Sequence, residues 1–200
     1  METNYSNRND IIEVGLDETG RGPAFGRVYA AAVIWPTDLK SELIRDSKTI
    51  KSVKSMKIAY DFIKTNAVEV AVAYASEQEI DELNILQADM LAMHRALDGL
   101  STEFHEIIVD GNYFKPYKMF KHTTIVKGDA KYYSIAAASI VAKYERDLYI
   151  SNLCHLYPDL DEKYDLLKNK GYPTPAHLAG IATHGISVYH RKTFKCCKMK

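Results

Sequence analysis

The pattern of apolar and polar residues predicts two strands near the start of the chain. Residues 11–17 predict a strand that enters from solvent and becomes apolar, and residues 27–35 are rich in Val, Ala, Tyr and Ile. A GRGP turn at residues 20–23 separates the two runs, because glycine and proline interrupt regular structure. The short connection predicts that the two strands pair as a hairpin.

The same kind of pattern predicts alternating helices and strands further on. Ser76 followed by Glu79 is a capping-box signature, which indicates the start of a helix. The remaining runs predict helices at 51–65, 85–100, 130–153 and 175–183 and strands at 68–75, 106–110 and 123–126. This order indicates an α/β fold with a five-stranded mixed sheet and helices on both faces.

Composition adds two predictions, a division into domains and a cellular location. The chain becomes richer in proline and tyrosine after residue 156, so we divide it into a main domain at 1–156 and a helical extension at 157–200. No apolar run approaches the roughly 18 residues of a membrane helix, and the N-terminus does not resemble a signal peptide. We expect a soluble, monomeric protein of the cytoplasm, without excluding the nucleus.

Cysteine spacing and charge bear on whether the protein has disulfides, a zinc site or a nucleic-acid-binding surface. The three cysteines include no CxxC pair, which argues against a disulfide framework and a structural zinc site. Lys plus Arg and Asp plus Glu are both 26, but basic residues cluster at 111–131 and 189–200. Such clusters are either ordinary solvated surface or a basic face that binds a phosphate backbone.

Four acidic residues follow the ends of predicted elements. Asp17 ends the first strand and Asp110 ends the strand at 106–110, so parallel pairing of these strands places both at one sheet edge. Glu18 reaches the same edge if the strand is already deformed there, since neighbouring strand residues face opposite ways. Asp129 precedes the long helix, where an acid also serves as a cap. Clustered carboxylates suit Mg²⁺ or Mn²⁺, and a metal pair suits phosphoryl transfer.

Taken together, the motifs resemble those of type 2 ribonuclease H, the ribonuclease HII family. Six further motifs follow the opening one in order, from about residue 14 to residue 194. The matching segments are GLDETGRGPAFGRVYAAAVI (15–34), DSK (46–48), EIDELNILQADMLAMHRAL (79–97), VDGN (109–112), KGDAKYYSIAAASIVAKYERD (127–147), KGYPTPAH (170–177) and HRKTF (190–194). The resemblance implies an RNase H-like fold.

The resemblance also implies an activity and its residues. It implies hydrolysis of the RNA strand of RNA/DNA hybrids and cleavage 5′ of single ribonucleotides in duplex DNA, with two Mg²⁺ or Mn²⁺ ions and 5′-phosphate and 3′-hydroxyl products. A replication-clamp partner is a further expectation, and the KCCKMK tail is a weak candidate for its docking segment. The implied catalytic and metal-binding residues are Asp17, Glu18, Asp110 and Asp129.

Substrate contacts are carried over in the same way. Gly20, Arg21 and Gly22 are expected to read the ribonucleotide, because glycine lets the backbone approach its 2′-hydroxyl closely. Tyr172 is expected to stack on the following sugar. Further candidates by residue type and motif are Lys48, Asn84, Ser139, Lys143 and Arg191.

Some of these residues have a second interpretation. Arg146 and Asp147 are expected to form a structural ion pair, and His190 with Arg191 alternatively fixes the tail. A lysine series at spacing three (Lys48, Lys51, Lys54 and Lys57) spirals around a helix, so its contact with DNA is open. Pro173 stands where the family usually has glycine, which puts the efficiency of junction cleavage in question.

Two rival functions remain open from the sequence. One is a DNA nuclease of the resolvase or transposase type, which also uses clustered carboxylates to bind metal ions. This function would not explain the GRG turn or Tyr172. A hybrid-binding module without activity is the other, and the intact carboxylate set argues against it.

Overall fold

One mixed sheet organises the protein in the computed structural model, which describes residues 1–8, 10–50 and 52–198. The strands are β1 (Glu13–Thr19), β2 (Val28–Ile34), β3 (Glu69–Ala75), β4 (Glu106–Asp110) and β5 (Lys121–Ile125). Their order is β3-β2-β1-β4-β5. β1 pairs antiparallel with β2, as predicted, and parallel with β4. The predicted α/β fold with a five-stranded mixed sheet is confirmed.

The described residues form seven helices. They are α1 (Val53–Asn66), α2 (Glu77–Leu83), α3 (Ile85–Asp98), α4 (Tyr133–Leu156), α5 (Pro158–Tyr164), α6 (Leu166–Asn169) and α7 (Pro175–His184). The capping box predicted for Ser76 and Glu79 is present at the start of α2. The long helix was expected from residue 130, but a 3₁₀ turn (Gly128–Ala130) precedes α4. The sequence did not predict α5 and α6.

The two faces of the sheet have separate cores. Leu16, Val28 and Val109 pack with α3 on one face, and Ala31 and Val33 pack with α1 and α4 on the other. Gly15 permits the close crossing of β1 and α4, because a Cβ there would collide with the backbone of Ser134. α4 is therefore held directly against the central strand.

The C-terminal segment packs against the end of α4. Phe25 and Ile150 form a buried cluster with Leu160, Tyr164 and Leu166 of this segment. The loop that follows β1 is thus covered by residues distant in sequence.

Two features of the sequence lie partly outside this description. Lys51 of the lysine series and Met199 and Lys200 of the tail are not among the described residues. No helix in the described ranges has both the length and the apolar character to cross a bilayer.

Candidate active site at the sheet edge

Asp17 and Asp110 lie at the same edge of the sheet. β1 and β4 run parallel with Leu16 opposite Val109, and the two acids follow these paired residues. Parallel pairing was the condition on which their convergence was predicted. The carboxyl ends of neighbouring parallel strands are the usual position of active sites in α/β folds.

Asp129 joins this edge through the backbone. The amide nitrogen of Gly128 donates to Asp110 Oδ1 at 2.7 Å, and the amide of Asp129 lies 3.4 Å from the same oxygen. Lys48 Nζ lies 3.7 Å from Asp129 Oδ2 on the outer side. The 3₁₀ turn before α4 therefore ties the third acid to the second.

Glu18 reaches the edge without the strand deformation that we expected. β1 continues to Thr19 and keeps Glu18 paired with Ala30, and the carboxyl groups of Asp17 and Glu18 still act on each other's pKa values. Asp17 accepts a hydrogen bond from the Glu18 amide at 2.8 Å. The charge of Asp110 acts on both, as their pKa values show. Asp17, Glu18, Asp110 and Asp129 are called the acidic edge below.

The acidic edge is crowded with negative charge. Burial raises the pKa of Asp17 well above its ordinary value, and the charges of Glu18 and Asp110 raise it further. Burial also raises the pKa of Glu18, which Arg21 opposes. The pKa of Asp129 is raised by burial and then by Asp110. Repulsion of this kind is relieved by a bound cation.

Carboxylate oxygens are the ligands that hard divalent cations prefer, so the acidic edge fits Mg²⁺ or Mn²⁺ in donor chemistry. No three His, Cys, Asp or Glu side chains are already grouped as ligands anywhere in the described ranges. The fit of the acidic edge to a divalent cation therefore rests on its donor chemistry and its crowded negative charge.

A cleft connects the acidic edge with the glycine turn. It has a volume of about 280 Å³, and Glu18, Arg21 and Asp110 line it together with Asn112 and Tyr113. Gly20 has a positive φ of 95°, and a Cβ there would collide with the Arg146 side chain. Only glycine therefore suits this position, and the turn is held beside the acids.

Tyr172 lies on the other side of the turn. Its ring is 47% exposed and would be 3.3 Å from a Cβ on Gly22. The Thr174 amide donates to the Tyr172 carbonyl at 2.8 Å, which closes a tight turn around Pro173. With proline in the motif, the ring therefore still lies beside Gly22.

Two buried histidines support Tyr172, and sequence reasoning gave them no such role. The Ser187 amide donates to His190 Nδ1 at 2.9 Å, which leaves the proton on His190 Nε2. That nitrogen lies 3.1 Å from His177 Nε2, and His177 Nδ1 lies 2.9 Å from the Tyr172 carbonyl. Each imidazole is then neutral and donates toward Tyr172. Burial lowers the pKa of both, that of His190 to about 4.

Arg191 is the clearest correction among the expected substrate contacts. Its side chain is fully buried, so it does not present its charge to a nucleic acid. Its guanidinium donates to four backbone carbonyls, those of Gly20, Arg21, Pro23 and Gly26, at 2.7 to 3.2 Å. Arg191 and these carbonyls are called the arginine cradle below. The alternative interpretation, in which Arg191 fixes the tail, matches this geometry.

The other expected substrate-contact residues differ in their exposure to solvent. Ser139 is buried, lies 2.9 Å from Ser47 Oγ and hydrogen-bonds Asp17, so it is not on the surface. Asn84 is exposed, and its Oδ1 accepts from two amides at the start of α3. Lys143 is partly exposed and pairs with Asp147 at 3.1 Å.

Arg146 supports the segment that carries Tyr172 from inside. Its side chain is 2% exposed, and Nη2 donates to the Lys170 carbonyl at 2.7 Å. Nη1 lies 3.6 Å from Asp147, in the ion pair that we predicted. Arg146 thus links α4 to the segment that carries Tyr172.

Asp89 was also missed. It lies in α3 and is fully buried, with neither carboxylate oxygen hydrogen-bonded. Burial and the charge of Glu18 raise its pKa to about 8. The signal in the sequence is an acid next to Ala88 and Met90, on the apolar side of a periodic helix.

Comparison with known proteins places this geometry in a family. The family model described as Ribonuclease HII matches residues 14–197. A ribonuclease HII of Bacteroides thetaiotaomicron is 52% identical over 190 residues, which cover 95% of this chain and 92% of that protein. The match extends over both the acidic edge and the arginine cradle.

Solved structures show the same fold at low sequence identity. Ribonuclease H2 from Pyrococcus horikoshii has a TM-score of 0.77 at 23% identity, covering 92% of this chain and 94% of its own. The RNase HII of the PCNA:RNase HII complex from Archaeoglobus fulgidus has a TM-score of 0.74 at 23% identity, covering 92% and 96%. Bst-RNase HIII in complex with Mn²⁺ has a TM-score of 0.76 at 17% identity, covering 96% and 70%. The RNase H-like fold is therefore confirmed.

Proposed function

Because the chain belongs to the ribonuclease HII family and is therefore a ribonuclease H acting on RNA/DNA, we propose that it also cleaves on the 5′ side of single ribonucleotides embedded in duplex DNA. One observation carries this proposal. The cleft lined by Glu18 and Asp110 of the acidic edge also contains Arg21 of the glycine turn, and Tyr172 flanks that turn at Gly22. A hydrolytic site and a site that recognises a 2′-hydroxyl are thus adjacent.

Each part of the site has a distinct task. Asp17, Glu18, Asp110 and Asp129 hold two divalent cations, Mg²⁺ or Mn²⁺. Once bound, such ions supply Lewis-acid stabilisation of the attacking and leaving oxygens. The complex of Bst-RNase HIII with Mn²⁺ supports a divalent requirement. Products would carry 5′-phosphate and 3′-hydroxyl ends.

Recognition falls to the turn and to the C-terminal segment. Backbone groups at Gly20 and Gly22 approach the 2′-hydroxyl, and Arg21 contacts a phosphate. Tyr172 stacks on the next sugar. In this proposal residues 1–156 supply the acids and residues 157–200 supply the stacking ring. Lys48, exposed beside Asp129, is the best placed of the remaining basic candidates.

The wider setting belongs to the same proposal. The archaeal relative in a complex with PCNA supports a sliding-clamp partner for this chain as well. We propose a monomer that acts in the cytoplasm.

A strand-cleavage assay tests the function directly. Three duplexes are compared with Mg²⁺ or Mn²⁺: a long RNA/DNA hybrid, a DNA–RNA–DNA duplex with one ribonucleotide, and the all-DNA duplex. We expect cleavage of the first two, 5′ of the ribonucleotide in the second, and none of the third. Equal cleavage of the all-DNA duplex would instead support a DNA nuclease. Cleavage should stop in EDTA while binding persists.

A further inference from the structure

Asp89 is a buried carboxylate that the proposed function does not use. Its neighbours Ala88, Met90, Ala92 and Met93 belong to the core between α3 and the sheet. Both Asp89 oxygens are buried without a hydrogen-bond partner. An unsatisfied carboxylate in such a place is destabilising, so packing does not explain the residue. Positions that break the rules of a core are expected at functional sites.

Arg21 gives the carboxylate its counter-charge. Arg21 Nε lies 3.6 Å from Asp89 Oδ2, and Arg21 Nη1 lies 3.8 Å from Glu18 Oε1. Both distances are too long for hydrogen bonds but lie within the range of an ion pair. The Arg21 side chain remains 48% exposed, whereas that of Asp89 is 1% exposed. A fixed, buried carboxyl group thus lies against one side of a guanidinium whose remainder is open to solvent.

The shape of the guanidinium makes this contact specific. It is planar and carries five N–H donors in a rigid fork. An anion near Nε fixes the plane, and the donors turned away from that anion remain available for a second one. Two charges on different sides of the same group are therefore compatible.

From this geometry we propose that Asp89 is a positioning residue for Arg21, which it holds at the rim of the cleft in the orientation that binds a substrate phosphate. The inference rests on the proposed function in assigning Arg21 to a phosphate. Asp89 lines the same cleft as Glu18 and Asp110, and in this proposal it acts through Arg21. It raises affinity by removing the orientational freedom of Arg21 before the nucleic acid arrives.

The proposal predicts opposite effects on stability and on affinity. In Asp89→Asn a buried carboxyl group without a hydrogen-bond partner is replaced with little change of volume, so the melting temperature should stay equal or rise. Affinity for the DNA–RNA–DNA duplex, measured by fluorescence anisotropy in EDTA, should fall about tenfold, the effect of losing one charge-assisted contact. In the cleavage assay KM should rise while kcat changes little. A structural residue would instead lower the melting temperature.

A double-mutant cycle with Arg21→Met tests whether Asp89 acts through Arg21. Asp89→Asn should weaken binding about tenfold when Arg21 is present and scarcely at all in the Arg21→Met background. Asp98→Asn is the matched control, because it is the same change on the same helix at an exposed position paired with Lys118. It should leave affinity, KM and the melting temperature near wild type.

Three outcomes would overturn the inference. They are an equal loss of affinity in both Arg21 backgrounds, a lower melting temperature with unchanged affinity, and a raised Mg²⁺ requirement without coupling to Arg21. The last would make Asp89 an ion ligand. Failure of the proposed function is seen separately, as wild-type protein that binds the duplex in EDTA but does not cleave it with Mg²⁺.

Discussion

The acidic edge and the arginine cradle adjoin the same loop but are built on opposite principles. In the cradle, the Arg191 guanidinium donates to four backbone carbonyls and is fully buried. At the edge, burial and neighbouring carboxylates raise the pKa values of Asp17, Glu18 and Asp129, and the nearby cations are Arg21 and Lys48. The arginine cradle therefore stabilises the loop, whereas the acidic edge is itself stabilised by the cations that it binds.

The largest expected effect is the loss of activity when one carboxylate of the acidic edge is neutralised. Asp110→Asn should lower the cleavage rate about a thousandfold or more, because metal-assisted hydrolysis depends on the carboxylate. The free energy of unfolding should stay equal or rise, since a repulsive charge is removed. The measurements are single-turnover cleavage and thermal unfolding. Glu106→Gln, on the same strand and paired with Lys121, is the control with near wild-type turnover. Near wild-type turnover in Asp110→Asn refutes the site.

Removing the cradle should produce the opposite profile. Arg191→Met leaves the carbonyls of the loop buried without donors, which should lower the free energy of unfolding by about 3 kcal/mol. Urea denaturation measures this loss. Arg8→Met is the matched control, because its ion pair with Asp10 is largely exposed and should contribute little. A negligible loss in Arg191→Met would show that the loop holds itself without the cradle.

A third substitution tests whether Tyr172 contacts the substrate. Tyr172→Ala should reduce cleavage of the single-ribonucleotide duplex about tenfold, since stacking contributes roughly 1–3 kcal/mol. Melting temperature should change little, because the ring is half exposed. Tyr157→Ala, with a ring of similar exposure, should leave cleavage unchanged. If both variants cleave equally well, Tyr172 does not contact the substrate.

The smallest expected effect is a pH dependence in the histidine pair behind Tyr172. The folded pKa of His190 is about 4 against an ordinary 6.5, so the unfolded chain binds the proton more tightly. The stabilising contribution is therefore complete above pH 6.5 and is lost as pH falls toward 4. Between about pH 6.5 and 5.5 the loss should be about 1 kcal/mol. His190→Asn should flatten this part of the stability curve, and exposed His184→Gln should not.

Those parts of the molecule that depend on local pattern could be predicted from the sequence. The hairpin, the capping box of α2 and the parallel pairing behind Asp17 and Asp110 follow from periodicity and turn residues. α5 and α6 could not, because they are short and the left-handed Asp165 separates them. Their position depends on packing against α4.

Sequence motifs predicted which residues form the site, but they did not predict roles that depend on contacts between distant residues. The four acids were found because they end elements whose edges coincide. Arg191 was assigned to the substrate because its charge suggests a surface, yet burial among distant carbonyls gives it a structural role. Asp89 was overlooked, because its significance lies in a distance to Arg21 that no spacing along the chain reveals.

Anomalous scattering from a crystal grown with Mn²⁺ tests the central claim most directly. We predict manganese peaks at the acidic edge, with oxygens of Asp17 and Asp110 among the ligands and Glu18 and Asp129 completing the coordination. Peaks bound elsewhere, or an acidic edge without manganese at a saturating concentration, would contradict the account.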